Sequence, residues 1–164
     1  MAPSAATTSE GASSIDAEVR RLSDRAAVTE LLDRYAKLFD ERNFDEALPE
    51  LVTRDARIEL PPGEHQGIEG MDVFHSETMS VFASTQHIFT SHLIDLDGDH
   101  AGFRANAHIT HVLPSSGSAA PADDLFIVGA VLTGEAVRTP DGWRIRDAVL
   151  DAVWRQGDFG PPGD

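Results

Sequence analysis

Ala101-Gly102-Phe103-Arg104-Ala105-Asn106-Ala107-His108-Ile109-Thr110-His111 decides the fold. Successive side chains of a strand point to opposite faces. Ala101, Phe103, Ala105, Ala107, Ile109 and His111 therefore share one face, and Gly102, Arg104, Asn106, His108 and Thr110 the other. The first set is apolar and must be the interior, which carries His111 inward and leaves His108 outside. Residues 87–96 precede this strand and are rich in β-branched and bulky side chains, with Asp97-Gly98 as a tight hairpin turn between the two. On that earlier strand His87, Phe89, Ser91, Leu93 and Asp95 share one face, and Ile88, Thr90, His92, Ile94 and Leu96 the other. Alternation does not choose the inner side there, so His87 is a pocket candidate only.

Outward from this pair the pattern repeats. A Pro-, Ser-, Gly- and Ala-rich loop covers 114–124, strands follow over 125–138 and 143–154, and Pro140-Asp141-Gly142 turns between them. The first half is helical. Val28, Leu31, Leu32, Tyr35, Leu38 and Phe39 recur at three- and four-residue steps, with Ser23 as a candidate N-cap. A short second helix carries Phe44, Leu48, Leu51 and Val52 and contains Pro49. A strand over 56–60 stops at Pro61-Pro62-Gly63, and a third helix spans roughly 70–82. Helices first and a four-strand antiparallel meander afterwards give an α+β layout, with the helices on one face of a curved sheet. Such a sheet leaves a closed end and an open mouth, the shape of an apolar small-molecule pocket.

Composition bounds the rest. The chain has 164 residues, 41% of them apolar, which fits one domain over 15–159 with a real core. Residues 1–14, rich in Ala, Ser and Thr, read as a disordered lead-in without the features of a signal peptide, and 160–164 as a loose tail. A formal net charge of −15 disfavours nucleic acid and anionic membrane as partners. No apolar run approaches a membrane span, and a cytoplasmic location is expected. There is no cysteine, which removes disulfides and thiolate chemistry. His65, His75, His92, His100 and His108 lack a two-His-one-carboxylate spacing, and Asp95, Asp97 and Asp99 lack the later Glu of a calcium loop, so no metal is expected. Asp40 follows Phe39 at the end of the first apolar helix. It is either a solvated helix terminus or, if inside, in need of a partner such as a histidine. Apolar Ile88, Ile94 and Leu96, read as outer sheet residues, call for cover and suggest a homodimer through the sheet.

With these residues placed, Phe39-Asp40-Glu41-Arg42-Asn43-Phe44-Asp45, Thr85-Gln86-His87, His111, Asp141-Gly142-Trp143, Trp154 and Asp158-Phe159 together resemble the scytalone dehydratase enzymes and the wider SnoaL-like and ketosteroid-isomerase-like group. The resemblance runs over 22–159 and implies a cystatin-like α+β cone of the nuclear transport factor type. It also implies that Asp40, His87 and His111 are catalytic, a histidine pair with one member held by the aspartate moving the protons of a water elimination. Asp40 with His111 would make that couple, with His87 across the pocket. The two tyrosine positions that orient a carbonyl-polarising water in that group fall on Phe39 and Leu60, neither of which can donate a hydrogen bond. Tyr35, one turn earlier, either supplies a phenol instead or is a core aromatic. Substrate contacts are expected from Tyr35, Phe39, Leu60, Phe89, Ala107, Ile109, Thr133 and Trp154. The expected activity is a cofactor-independent dehydratase acting on a cyclic, polyketide-type hydroxy-ketone. A cyclase or isomerase with the same acid–base set, and a non-catalytic binding domain, are the alternatives.

Overall fold

A computed structural model describes residues 6–114 and 124–157. Three helices, α1 (Ala6–Glu41), α2 (Phe44–Leu51) and α3 (Met71–Met79), pack against six strands. The strands are β1 (Val52–Leu60), β2 (Gly63–Gln66), β3 (Ser84–Asp97), β4 (His100–Val112), β5 (Leu125–Thr139) and β6 (Gly142–Gln156). They form one sheet in the order β2-β1-β6-β5-β4-β3, antiparallel except for β1 against β6. The expected α+β cone is the observed architecture. The Pro61-Pro62 pair, expected to end a strand, is the two-residue link of the β1–β2 hairpin, where Leu60 faces Gly63.

The apolar stripe of α1 is buried as its spacing requires: Val28, Leu32, Tyr35 and Phe39 all lie in the core. The helix begins well before that stripe, at Ala6, inside the stretch expected to be a disordered lead-in. Residues 13–23 are exposed. They extend a helix already nucleated by the packed turns downstream, since adding one residue to an existing helix gains a hydrogen bond for little extra order. At the other end Arg42 turns left-handed, with φ 56°, and returns its N–H to the carbonyl of Leu38. That stop directly after Asp40 and Glu41 leaves Asp40 at the rim of the sheet instead of along a continuing helix.

Strand β4 alternates as read, with Ala101, Phe103, Ala105, Ala107, Ile109 and His111 all buried. Strand β3 does not, for a local reason. Ser91 has φ 55°, and the register with β4 shifts between Thr90 and Leu93. This β-bulge inserts one extra residue and exchanges the faces beyond it. Phe89 before the bulge and Ile94 after it are both buried. Ile94 and Leu96, expected on the outer face, thus pack into the core, and of the three residues that suggested a dimer only Ile88 is exposed.

Candidate active site

Tyr35 and Phe39 of α1, Leu60 of β1, His87 of β3, Ile109 and His111 of β4 and Val128 of β5 surround a cavity of about 360 Å³. The walls are mostly apolar, so a polar group that reaches the cavity acts in a medium that strengthens its interactions.

Asp40 and His87 form the most connected feature. The Asp40 carboxylate accepts three different donors: the His87 ring at Nδ1 (2.7 Å), the His87 backbone N–H (3.0 Å) and the Thr85 hydroxyl (3.0 Å). Burial pulls the Asp40 carboxyl up, but the hydrogen bonds from the His87 side chain and backbone and from Thr85 outweigh it and hold the carboxyl below its usual range. A carboxylate can only accept, so Nδ1 of His87 carries a proton, and in the neutral ring Nε2 is the atom that presents a lone pair. Phe39 stacks on the ring, with centroids 4.9 Å apart, and fixes its plane.

His111 has a different setting. Its Nδ1 donates to the backbone carbonyl of Phe126 at 3.1 Å, which again leaves Nε2 as the acceptor. The ring is boxed by Phe82 and Phe126, at centroid distances of 4.2 and 5.4 Å. Burial pushes its pKa down to about 4, so the imidazole is neutral at pH 7. The two imidazoles stand 6.0 Å apart, near perpendicular. The expected couple of Asp40 with His111 is therefore corrected: the aspartate holds His87. The cause is the α1 stop, which delivers Asp40 to the start of β3, where both the side chain and the backbone of His87 can reach it.

The remaining expected residues divide. Tyr35, Phe39, Leu60 and Ile109 line the cavity. Phe89 and Ala107 are buried on the inner face of the sheet, paired with each other, but do not line the cavity; the Phe89 ring lies 6.5 Å from that of His87. Thr133 and Trp154 are corrections. Thr133 is paired with Arg104 on the convex face. Trp154 also lies outside, exposed, across Gly129 and against the His108 ring at 5.9 Å.

Tyr35 resolves toward the core. Its hydroxyl is 3.0 Å from Nε2 of His75, whose Nδ1 is 2.8 Å from the carbonyl of Met71. The carbonyl fixes the proton on Nδ1, so Nε2 of neutral His75 accepts the phenolic proton. Burial pushes the His75 pKa down to about 4 and the Tyr35 phenol up. Sequence reasoning placed no role on His75, although it lies on the Met71–His75–Met79 stripe of α3, all three buried. Phe82, Phe126, Val128, Leu132, Leu150, Ala152 and Arg155 are further lining residues that it missed. Inward alternation along residues 126–132 would have found three of them. Among the described residues no group of three or more His, Asp or Glu could hold a metal ion, and no helix is long and apolar enough to cross a membrane.

Helices packed into a curved, unclosed six-strand sheet around such a cavity define the nuclear transport factor 2-like class of α+β cones. Within that class the chain belongs to the SnoaL-like domain family, whose model matches residues 20–149. The Rv2910c protein of Mycobacterium tuberculosis is 28% identical over 134 residues, which span 77% of this chain and 84% of the relative. The solved Kfla4162 protein of Kribbella flavida is 27% identical, with a TM-score of 0.75 over 83% of this chain and 95% of that one. A Novosphingobium aromaticivorans protein assigned as a scytalone dehydratase shares the fold at 15% identity, with a TM-score of 0.73 over 86% and 91% of the two chains.

Proposed function

We propose that this protein is a cofactor-independent lyase, a dehydratase that removes water from a cyclic, polyketide-type hydroxy-ketone by imidazole acid–base chemistry. The observation that carries this reading is the pair of imidazoles in one apolar cavity, each with Nδ1 committed to an acceptor, so that both present Nε2 to a ligand. His87 is the proton carrier. Its Nε2 takes the proton next to the substrate carbonyl, and the Asp40 carboxylate stabilises the imidazolium as it forms. The same imidazolium then returns the proton to the departing hydroxyl, so water leaves and the proton count closes. His111, neutral at pH 7, accepts a hydrogen bond from a substrate hydroxyl and orients it. The dehydratase assignment of a protein with the same fold agrees with this class of chemistry.

A second reading is a binding domain without chemistry. It draws on one observation: Phe39 and Leu60 donate nothing, and the Tyr35 proton is held by His75. An α-proton exchange assay separates the two without knowledge of the substrate. Incubated with 2-tetralone in D₂O, the protein should accelerate loss of the α-proton NMR signal, and His87→Ala should remove roughly 100-fold or more of that rate. Exchange no faster than buffer would favour the binding domain.

A further inference from the structure

The last turn of β6 carries a device that alternation hides. Leu150 faces Leu132 and Ala152 faces Ala130, all on the cavity side of the sheet. Continued alternation would bring Trp154 inward and turn Arg155 out. Instead the register shifts at Val153, so that Trp154 faces Gly129 and Arg155 faces Val128. The bulge exchanges an indole for a guanidinium on the cavity wall, and bulges beside active sites commonly re-aim a side chain in this way. Gly129 completes the exchange. A Cβ there would meet the Trp154 ring at 2.1 Å, so glycine makes the room in which the indole lies outside.

Arg155 now ends a single row. His87 faces Ile109, Ile109 faces Val128, and Val128 faces Arg155, one residue from each of four neighbouring strands. All four line the cavity. Three strand spacings separate the backbones of His87 and Arg155 by ~14 Å in a flat sheet, and less in a curved one. Both residues line the cavity, with Ile109 and Val128 between them in the row and Arg155 at its exposed end, a span that suits a ring lying across the two apolar residues. Among the described lining residues Arg155 is the one permanent cation and Glu77 the one carboxylate. Arg155 has no hydrogen bond or ion pair among the described residues. Its planar fork suits a carboxylate, which it can hold through two parallel N–H···O bonds. In a chain of net charge −15 an anionic ligand gains by lying against that group and away from Glu77.

We infer that Arg155 is a specificity-determining residue that anchors a carboxylate of the substrate. The preferred substrate is then a carboxylate-bearing cyclic hydroxy-ketone whose ring rests on Ile109 and Val128. The inference rests on the acid–base reading for the identity of the ring, and its test does not. The probes are 2-naphthoate and 2-naphthamide, equal in shape and different in charge, titrated by calorimetry into the full chain. The wild type should bind naphthoate at least tenfold more tightly, with NMR contacts from naphthyl protons to the methyls of Ile109 and Val128. Arg155→Met should remove the ratio while keeping the naphthamide affinity, and Arg155→Lys should keep part of it, because a point charge replaces the fork. A ratio unchanged in Arg155→Met, equal affinities in the wild type, binding of neither probe, or binding without those methyl contacts would each overturn the inference. Absence of 2-tetralone exchange in the wild type would remove the acid–base reading and leave the naphthoate ratio as it stands.

Discussion

Two histidines meet side chains of α1 five residues apart, and they do opposite things. His87 pairs with Asp40 at the edge of the cavity, where the partner is an ionised acceptor. His75 pairs with Tyr35 in a box of Phe39, Phe44 and Phe74 rings, where the partner is a donor and both residues are buried. One arrangement stabilises a positive imidazole as it forms. The other holds a neutral imidazole as an acceptor and spends the phenolic proton on structure. The residue type is the same, so partner and burial decide which form of the imidazole each setting favours.

The contrast can be broken from either side. The largest effect is expected from His87→Ala, which should lower 2-tetralone exchange by roughly 100-fold or more with little change in melting temperature. Asp40→Asn should slow exchange by at least about tenfold, or ~1.4 kcal/mol in the barrier, because an amide cannot offset the imidazolium charge.

His75→Met should act in the reverse sense, leaving exchange in place while lowering stability. It strands the buried Tyr35 hydroxyl without its acceptor, at a cost of about 1–3 kcal/mol in denaturant titration.

A pH series sharpens the same contrast. His75 has a folded pKa near 4, below the ordinary 6.5. A depressed pKa means that the unfolded chain binds the proton first, so the stability contributed is fully present above pH 6.5 and is lost as pH falls toward 4. A shift of that size corresponds to roughly 3 kcal/mol in full. Wild-type stability should therefore fall between pH 6.5 and 4, and His75→Met should flatten part of that slope. His111, lowered in the same direction by its aromatic box, should retain the remainder.

The cone was legible because β4 alternates without interruption and α1 keeps a clean stripe from Val28 to Phe39. His111 was legible for the same reason, since one unbroken strand fixes the direction of every side chain on it. The rest was hidden by two bulges and one helix stop. At Ser91 a left-handed residue reverses the faces of β3, which is why Phe89 and Ile94, five apart and both apolar, could not be reconciled on one side. Such an odd spacing is itself the trace of a bulge. At Val153 the same device sent Trp154 outward and Arg155 inward. The partner of Asp40 was hidden differently. Which histidine an acid meets depends on where the chain leaves α1, and the left-handed turn at Arg42 carries no signature in a residue type that seldom adopts it.

The central claim is that Asp40 acts through His87 and not through His111. A double-mutant cycle on 2-tetralone exchange tests it most directly, because residues that act as one unit are not additive. Asp40→Asn added to His87→Ala should slow exchange no further, whereas added to His111→Phe it should multiply the loss. The reverse pattern, with Asp40→Asn silent in His111→Phe and costly in His87→Ala, would contradict the account.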